Sequence, residues 1–431
     1  MLASRMHVPG GTTLTTATDR YLTLDTVRGV AVMGILLLNI IGFAMPAPAY
    51  FNPAAYGGST GPDLAVWLFN FVFFDGKMRG LFSFLFGAST LLVIDSATAK
   101  GESAAKAHYS RMIWLLVFGL LHLWLIWWGD ILNNYALIAM IAFLFRNARP
   151  KTMVTAGCVL LIVQLMVVAM MPLMLMLAES KPGDPQMQKM VEGLTQGFGQ
   201  PPVAWLTEQV ALFRGSWLEI AIERFKDARF IPLVGLFQYG WETLAYMLFG
   251  MAAFRTGLLT GAWERRRYVK WAVIGFTVSL PIYALLAAWM IASDFALLQV
   301  VTAVMPATTF VRPFAIVAWA CLIILAMRPG GALTARIAAA GRMAFSNYLG
   351  TSLICTTLFY GYGLGWYGEL SRAEVYLVVL AIWALMLLWS KPWLERFAYG
   401  PLEWLWRSIA RGRVQRLSGG ALRPTIANAT Q

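Results

Sequence analysis

What constrains this chain most is the recurrence of apolar runs close to the length of a bilayer crossing. A helical span needs roughly 20 apolar residues, and runs of about that kind lie near residues 27–46, 63–97, 112–128, 131–145, 153–178, 233–254, 269–291, 307–327, 343–362 and 373–390. Charged residues make up only 13% of the chain, whereas a soluble domain carries about a quarter, so the lipid bilayer is its expected surroundings. The sequence therefore predicts an all-α, polytopic transmembrane helical bundle of about ten spans. Residues 1–26 form a cytoplasmic N-terminal tail in this reading, 27–392 the transmembrane domain with a periplasmic loop or cap over 179–232, and 393–431 a basic cytoplasmic C-terminal tail. The polar, Thr-rich start lacks the apolar core of a cleavable signal peptide, and flexibility is expected there.

Charge fixes the expected orientation. With the N-terminus inside, 23 Lys and Arg fall on inner segments and one, Arg372, on the four short outer loops, as the positive-inside rule requires of a bacterial inner-membrane protein with both chain ends in the cytoplasm. The net charge of +13 is thereby a topological signal, and no nucleic-acid partner is implied. Cys158, Cys321 and Cys355 each stand alone in apolar runs, so neither a disulfide framework nor a metal site is expected.

The run over 63–97 carries Asp75, Gly76, Lys77 and Arg79 in its middle, and its first half is too short to span. A broken or re-entrant helix is expected, since freed backbone groups survive at membrane depth only against protein or a wet cavity; a tilted helix with snorkelling Lys77 and Arg79 is the bland alternative. Phe213, Trp217, Ile220 and Phe225 recur at near-helical spacing in the outer loop, which suggests an interfacial helix or a small cap on the bundle.

Ionisable groups inside spans are costly and mark candidate sites. Four basic residues remain there, Arg28, Lys77, Arg79 and Arg312, and Asp25, Asn39, His122, Asp130 and Glu242 join them. At about 1.5 Å per residue, Asn39, His122, Glu242 and Arg312 fall about 8–14 Å below the outer ends of their runs, so a shared polar pocket is expected, with Glu242 and Arg312 neutralising one another. His122 is read as the one histidine inside the membrane and the natural proton acceptor near neutral pH. Eight helical residues would hold Asp130 about 12 Å away, so the carboxylate partner of His122 is expected from another span, Glu242 being the candidate, while Asp130 caps the next helix or joins the site. Asp25 and Arg28 share a helix face, as an anchoring ion pair or a ligand contact. In Gly341–Tyr348, Ser346 is assigned to packing and Asn347 stays open between packing and binding.

The segment Leu24–Asn39 (LDTVRGVAVMGILLLN within 24–39) resembles the opening of the YeiB family of bacterial inner-membrane proteins. FSFLFG at 82–87, GLLHLWLIWWGDIL at 119–132, GRMAFSNY at 341–348 and GPLEWLWR at 400–407 resemble it in order. More distantly, LDxxRG before an apolar span is similar to membrane acyltransferases such as heparan-α-glucosaminide N-acetyltransferase and the sugar O-acyltransferases. That resemblance implies transfer of an acyl group from acyl-CoA to an envelope or periplasmic acceptor, with no metal, and with the coenzyme's phosphates near Arg265, Arg266 and Arg267. The sugar enzymes usually place a His eleven residues after the motif's Arg, where Asn39 stands here; the heparan enzyme resembles this chain in having Asn there. His122 is then the expected general base, with Asn39 positioning the acceptor or an oxyanion and Glu242 beside them; Asp25, Arg28, Lys77, Asp130, Arg312 and Asn347 complete the candidate binding set. The competing class is a transporter or permease for a small solute, built on the broken helix, Lys77 and the Glu242–Arg312 pair; a scaffold or sensor is a third.

Overall fold

The structure, a computed structural model, describes residues 17–181 and 183–418. Residues 1–16, most of the expected N-terminal tail, and 419–431 lie outside the described residues. The described chain is all helical, without strands. In chain order the helices are α1 (Ala17–Ala44), α2 (Gly61–Phe73), α3 (Lys77–Thr98), α4 (Ala104–Leu125), α5 (Leu132–Ala142), α6 (Pro150–Glu179), α7 (Pro185–Phe198), α8 (Val203–Phe213), α9 (Trp217–Ala228), α10 (Ile231–Arg255), α11 (Arg265–Ala292), α12 (Leu297–Thr302), α13 (Arg312–Ala326), α14 (Ala332–Arg342), α15 (Ala344–Phe359), α16 (Arg372–Arg396) and α17 (Pro401–Ala410).

Each of the ten apolar runs lies in one or more of these helices. Among the described residues five stretches are long and apolar enough to cross a membrane, α2 and α3 counting together over Gly61–Thr98, or six if the bent pair α12–α13 is one span. The expectation of ten crossings is not carried by the helix lengths: α15 has 16 residues, and α4 and α10 mix His122 and Glu242 into their apolar faces.

Burial sorts the spans into centre and rim. The apolar window of α1 is 78% buried, whereas those of α6, α11 and α16 are each only 28% buried. The rim helices expose rows such as Ile162, Met166, Met170 and Leu173, or Leu377, Leu380 and Leu388, at the three-to-four-residue spacing of one helix face. Apolar groups on that outer face suit lipid, not water. The centre is tied by small residues: a Cβ at Gly87 would lie 2.0 Å from Met247 O, and one at Gly250 would lie 1.7 Å from Phe84 O, so α3 and α10 touch backbone to backbone.

Two ends of the bundle emerge from contacts between loops. At one end Arg255 donates to Arg146 O and Ala148 O, Trp406 of α17 donates to Arg111 O at 2.9 Å, and Gly261 lies beside Thr23. At the other, Asn52 donates to Phe198 O and Phe295 O at 3.0 and 3.1 Å, and Arg214 donates to Tyr367 O at 2.8 Å.

Of the two readings of the outer loop, one interfacial helix or a small helical cap, the described residues form three helices, α7 to α9. Ser216 starts α9 through a capping box with Glu219, which separates Phe213 from the other three aromatic and aliphatic positions. Ile220 is buried while Trp217 and Phe225 are exposed. Trp217 and Arg224 donate to Leu125 O at 2.9 Å and Trp124 O at 3.4 Å, covering carbonyls that the end of α4 leaves without helical partners.

Candidate functional site

The break in the second run falls at Phe74–Gly76, between α2 and α3. Gly76 adopts φ +66°, a conformation that costs glycine little, and a Cβ there would meet the Arg312 guanidinium at 2.4 Å. Lys77 does not snorkel: it is fully buried, donates to Phe71 O at 2.9 Å and lies 3.1 Å over the Tyr283 ring. Trp319 Nε1 donates to Phe73 O at 2.8 Å. Carbonyls released by the break are thus held by side chains, as membrane depth demands.

A second interruption, unforeseen in the sequence, faces the first. From α12 the chain passes through a π-helical turn, Ala303–Ala307, and then bends by 62° into α13. Thr308 and Thr309 donate back to Val304 O and Met305 O, both at 3.0 Å. The bend delivers Arg312, whose Nη2 donates to Thr308 Oγ1 at 2.6 Å and whose Nη1 pairs with Glu242 Oε1. Glu242 also accepts from Arg79 Nη2 at 2.6 Å and from Tyr246 OH at 2.7 Å. The Glu242–Arg312 pairing expected from sequence is present; Arg79, left without a role in that reading, completes it as a carboxylate between two guanidiniums. Its position one turn after the break was the available signal.

Asn39 and His122 stand apart from this cluster, and no hydrogen bond joins either to it among the described residues, so the single shared pocket is not formed. His122 takes its carboxylate from Asp130, not Glu242: Nδ1 lies 2.7 Å from Asp130 Oδ2, with side chains 1% and 0% exposed. The 12 Å estimate fails because α4 ends at Leu125. The amides of Ile126 and Trp127 both donate to His122 O, and the chain doubles back, returning Asp130 to the height of His122. Asp130 Oδ1 accepts from the Asn133 backbone and side-chain nitrogens, both at 2.8 Å, so it steadies the start of α5 and the imidazole together. With Nδ1 donating to the carboxylate, the neutral ring offers Nε2 as the lone-pair base. That Nε2 is buried and has no hydrogen-bond partner.

Tyr348 links the dyad to Asn39. Its ring centroid is 5.4 Å from that of His122, its hydroxyl accepts from Ile131 N at 3.4 Å, and it lines a small cavity with Asn39, Phe43, Thr351 and Ser352. Phe43 stacks on Trp127 at 4.0 Å, closing the side toward the α4–α5 turn. His108 is also buried, but its Nε2 contacts Ala139 O at 3.0 Å and so has a partner.

The remaining candidates sit elsewhere. Asp25 and Arg28 pair at 2.8 Å, and Arg28 also donates to Ser89 Oγ at 2.9 Å, joining α1 to α3. α1 begins ten residues before its expected start at 27, which places both inside the helix. Asn347 donates to Ala340 O and Ser390 Oγ at 3.0 and 3.2 Å and accepts from Trp389 Nε1 at 2.9 Å, so its amide is consumed by helix packing. Arg265, Arg266 and Arg267 open α11, with Arg267 3.8 Å over the Trp263 ring. Among the described residues no group of three or more His, Cys, Asp or Glu is arranged to hold a metal ion.

Fold and site together define a helical membrane protein with ion pairs buried in its interior. Residues 253–413 match the family described as "Protein of unknown function (DUF418)". The chain is 33% identical over 405 residues to the uncharacterised protein YeiB of Escherichia coli (strain K12), covering 91% of this chain and 96% of that protein. It is 30% identical over 406 residues to the uncharacterised protein YxaH of Bacillus subtilis (strain 168), covering 91% and 95%. The chain belongs to this YeiB-like DUF418 family. No solved structure matches it.

Proposed function

We propose that the chain is an acyl-CoA-dependent membrane acyltransferase of the bacterial inner membrane, with both ends cytoplasmic, acting on an envelope or periplasmic acceptor. The observation that carries this reading is the enclosed His122–Asp130 pair with a free Nε2 beside the Tyr348–Asn39 cavity. A general base must have its lone pair free and its tautomer fixed, and a purely structural histidine would be expected to satisfy both nitrogens. His122 Nε2 takes the proton of an acceptor hydroxyl or amine as that atom attacks the thioester carbonyl; Asp130 stabilises the imidazolium. The carbon–sulfur bond then breaks, and the same proton passes to the departing coenzyme A sulfur, giving acylated acceptor and free thiol. Asn39 donates to the oxygen that carries charge between these steps.

The orientation is supported by the inner-loop arginines: the segments carrying Arg146, Arg255 and Arg111 meet at one end with α17, where Arg265, Arg266 and Arg267 are available to coenzyme A phosphates. The test is thermal unfolding of the purified protein with acetyl-CoA, longer acyl-CoAs and free coenzyme A, since ligand at 100 times its Kd stabilises by about 2.7 kcal/mol. A saturable shift is expected; none with any of them rejects the proposal. The second reading, solute transport, is favoured by the two facing helix interruptions at Gly76 and Arg312, a construction used for midplane sites in transporters. Flux into proteoliposomes without chemistry on the solute would select it.

A further inference from the structure

The hairpin that carries the His122–Asp130 pair is short for a bilayer. Its arms leave Arg111 and Arg146, whose carbonyls are held by Trp406 and Arg255 at one end of the bundle, and charge keeps that end at the membrane surface. From Met112 to the end of α4 at Leu125 the helix rises about 20 Å, and the returning stretch Leu132–Phe145 rises about the same. The hydrocarbon is about 30 Å thick, so the turn between the arms stops inside it. The last carbonyls of α4 lack helical partners there. Trp217 and Arg224 of α9 donate to two of them, and the Phe225 ring lies edge-on to Trp124 at 5.6 Å.

α9 has three faces, set by the 3.6-residue turn. Ile220, Ala221 and Arg224 are buried against the bundle. Glu219, Glu223 and Lys226 make a polar face, on which Lys226 pairs with Glu223 at 2.9 Å. Leu218, Ile222 and Phe225 form the third and are 60%, 48% and 51% exposed. This third face continues the exposed apolar rows of its neighbours, at Val117 and Leu121 on α4 and at Leu233 and Phe237 on α10. A cap helix in water needs only a packed face and a polar one. Three large apolar side chains beside a polar face suit a helix lying where water meets lipid.

We infer that α9 is embedded in the leaflet on its side of the membrane, with Leu218, Ile222 and Phe225 seated among phospholipid acyl chains. Glu219, Glu223 and Lys226 turn toward the headgroups and water, and Trp217 and Arg224 close the end of α4. Two observations make lipid the occupant of the apolar face in preference to a second copy of the chain. The face is continuous with rows on α4 and α10 that run down through the hydrocarbon, and it begins where the hairpin falls short of the surface. α9 thereby supplies the missing thickness over the hairpin and walls the turn bearing His122 and Asp130 off from the leaflet. This inference concerns placement in the bilayer and stands independently of acyl transfer.

The test is nitroxide accessibility of the full-length protein in nanodiscs of phosphatidylethanolamine and phosphatidylglycerol. Cys158, the exposed one of the three cysteines, is first changed by Cys158→Ala. Labels are then placed singly through Leu218→Cys, Ile222→Cys and Phe225→Cys on the apolar face, and through Glu223→Cys and Lys226→Cys on the polar one. Relaxation by oxygen, which concentrates in lipid, is compared with relaxation by a water-soluble nickel chelate. The oxygen-to-nickel ratio should be at least about threefold higher on the apolar face than on the polar face. Equal ratios with free access of nickel to both faces would place α9 in water and overturn the inference. Low access of both reagents to the apolar face would mean that a second copy covers it, and would overturn it equally. In the unsubstituted protein, a phospholipid carrying a photoreactive group in mid-chain should crosslink within 217–228, and its failure to do so while labelling α6 would count against the embedding without any variant.

Discussion

At the scale of single residues, the pair that matters most was visible as residues but not as a pair. His122 and Asp130 both stand out in the sequence, yet counting helical rise separates them, because sequence locates a helix end only to within a few residues and α4 stops three residues after His122. Arg372 was hidden differently: it reads as the lone basic residue of a short outer loop, while the carbonyls that bury it, Ala49 and Tyr56, come from more than 300 positions away. The buried carboxylate makes a sharper stability prediction. Glu242→Gln leaves Arg79 and Arg312 sharing no anion, and breaking a buried ion pair costs about 3–5 kcal/mol. The melting temperature of the purified variant should fall accordingly; a shift indistinguishable from zero would mean that Glu242 is not ionised in the fold.

At the scale of elements, helix identity was legible and helix continuity only partly so. The break in the run over 63–97 could be read because Asp75, Gly76, Lys77 and Arg79 interrupt an apolar stretch. The α12–α13 bend could not, because Thr308 and Thr309 are only mildly polar and repay the lost backbone bonds with their own hydroxyls. The α3–α10 crossing predicts that Gly250→Ala, by placing a Cβ against Phe84 O, separates the helices and costs about 1–3 kcal/mol; an unchanged melting temperature would contradict the close approach. Helix α17 is held through Glu403, which accepts from Phe345 N at 2.8 Å, from Ser346 N at 3.1 Å and from the Ser346 hydroxyl. Burial raises the Glu403 pKa, with those hydrogen bonds opposing it. A raised acid favours the fold fully below its unfolded value near 4.5 and loses that contribution as pH rises through the folded value. The hydrogen-exchange protection of 401–410, corrected for the intrinsic rise of exchange with pH, should therefore fall across the window above pH 4.5, and Glu403→Gln should remove that fall.

At the scale of the whole molecule, composition and run length were enough for an all-helical membrane protein, and the motifs from Leu24 to Arg407 were enough for its family. The number of crossings was not legible, since a run of apolar residues does not reveal whether its helix is straight, bent or shared with a neighbour in the core. What the fold adds is the placement of α1 between two small cavities, one bordered by Asn39 and Tyr348 beside His122 and the other lined by Asn70, Asp75 and Arg372. The account rests on His122 acting as a base, and the direct measurement is release of free coenzyme A thiol from acyl-CoA by membrane vesicles carrying the parent protein, His122→Ala or Asp130→Asn. Loss of general-base catalysis typically costs about 10²–10⁴-fold, so His122→Ala should lose at least about 100-fold at unchanged protein level, with Asp130→Asn falling in the same direction. Thiol release by His122→Ala at the parent rate, or none above background from the parent, would contradict the account.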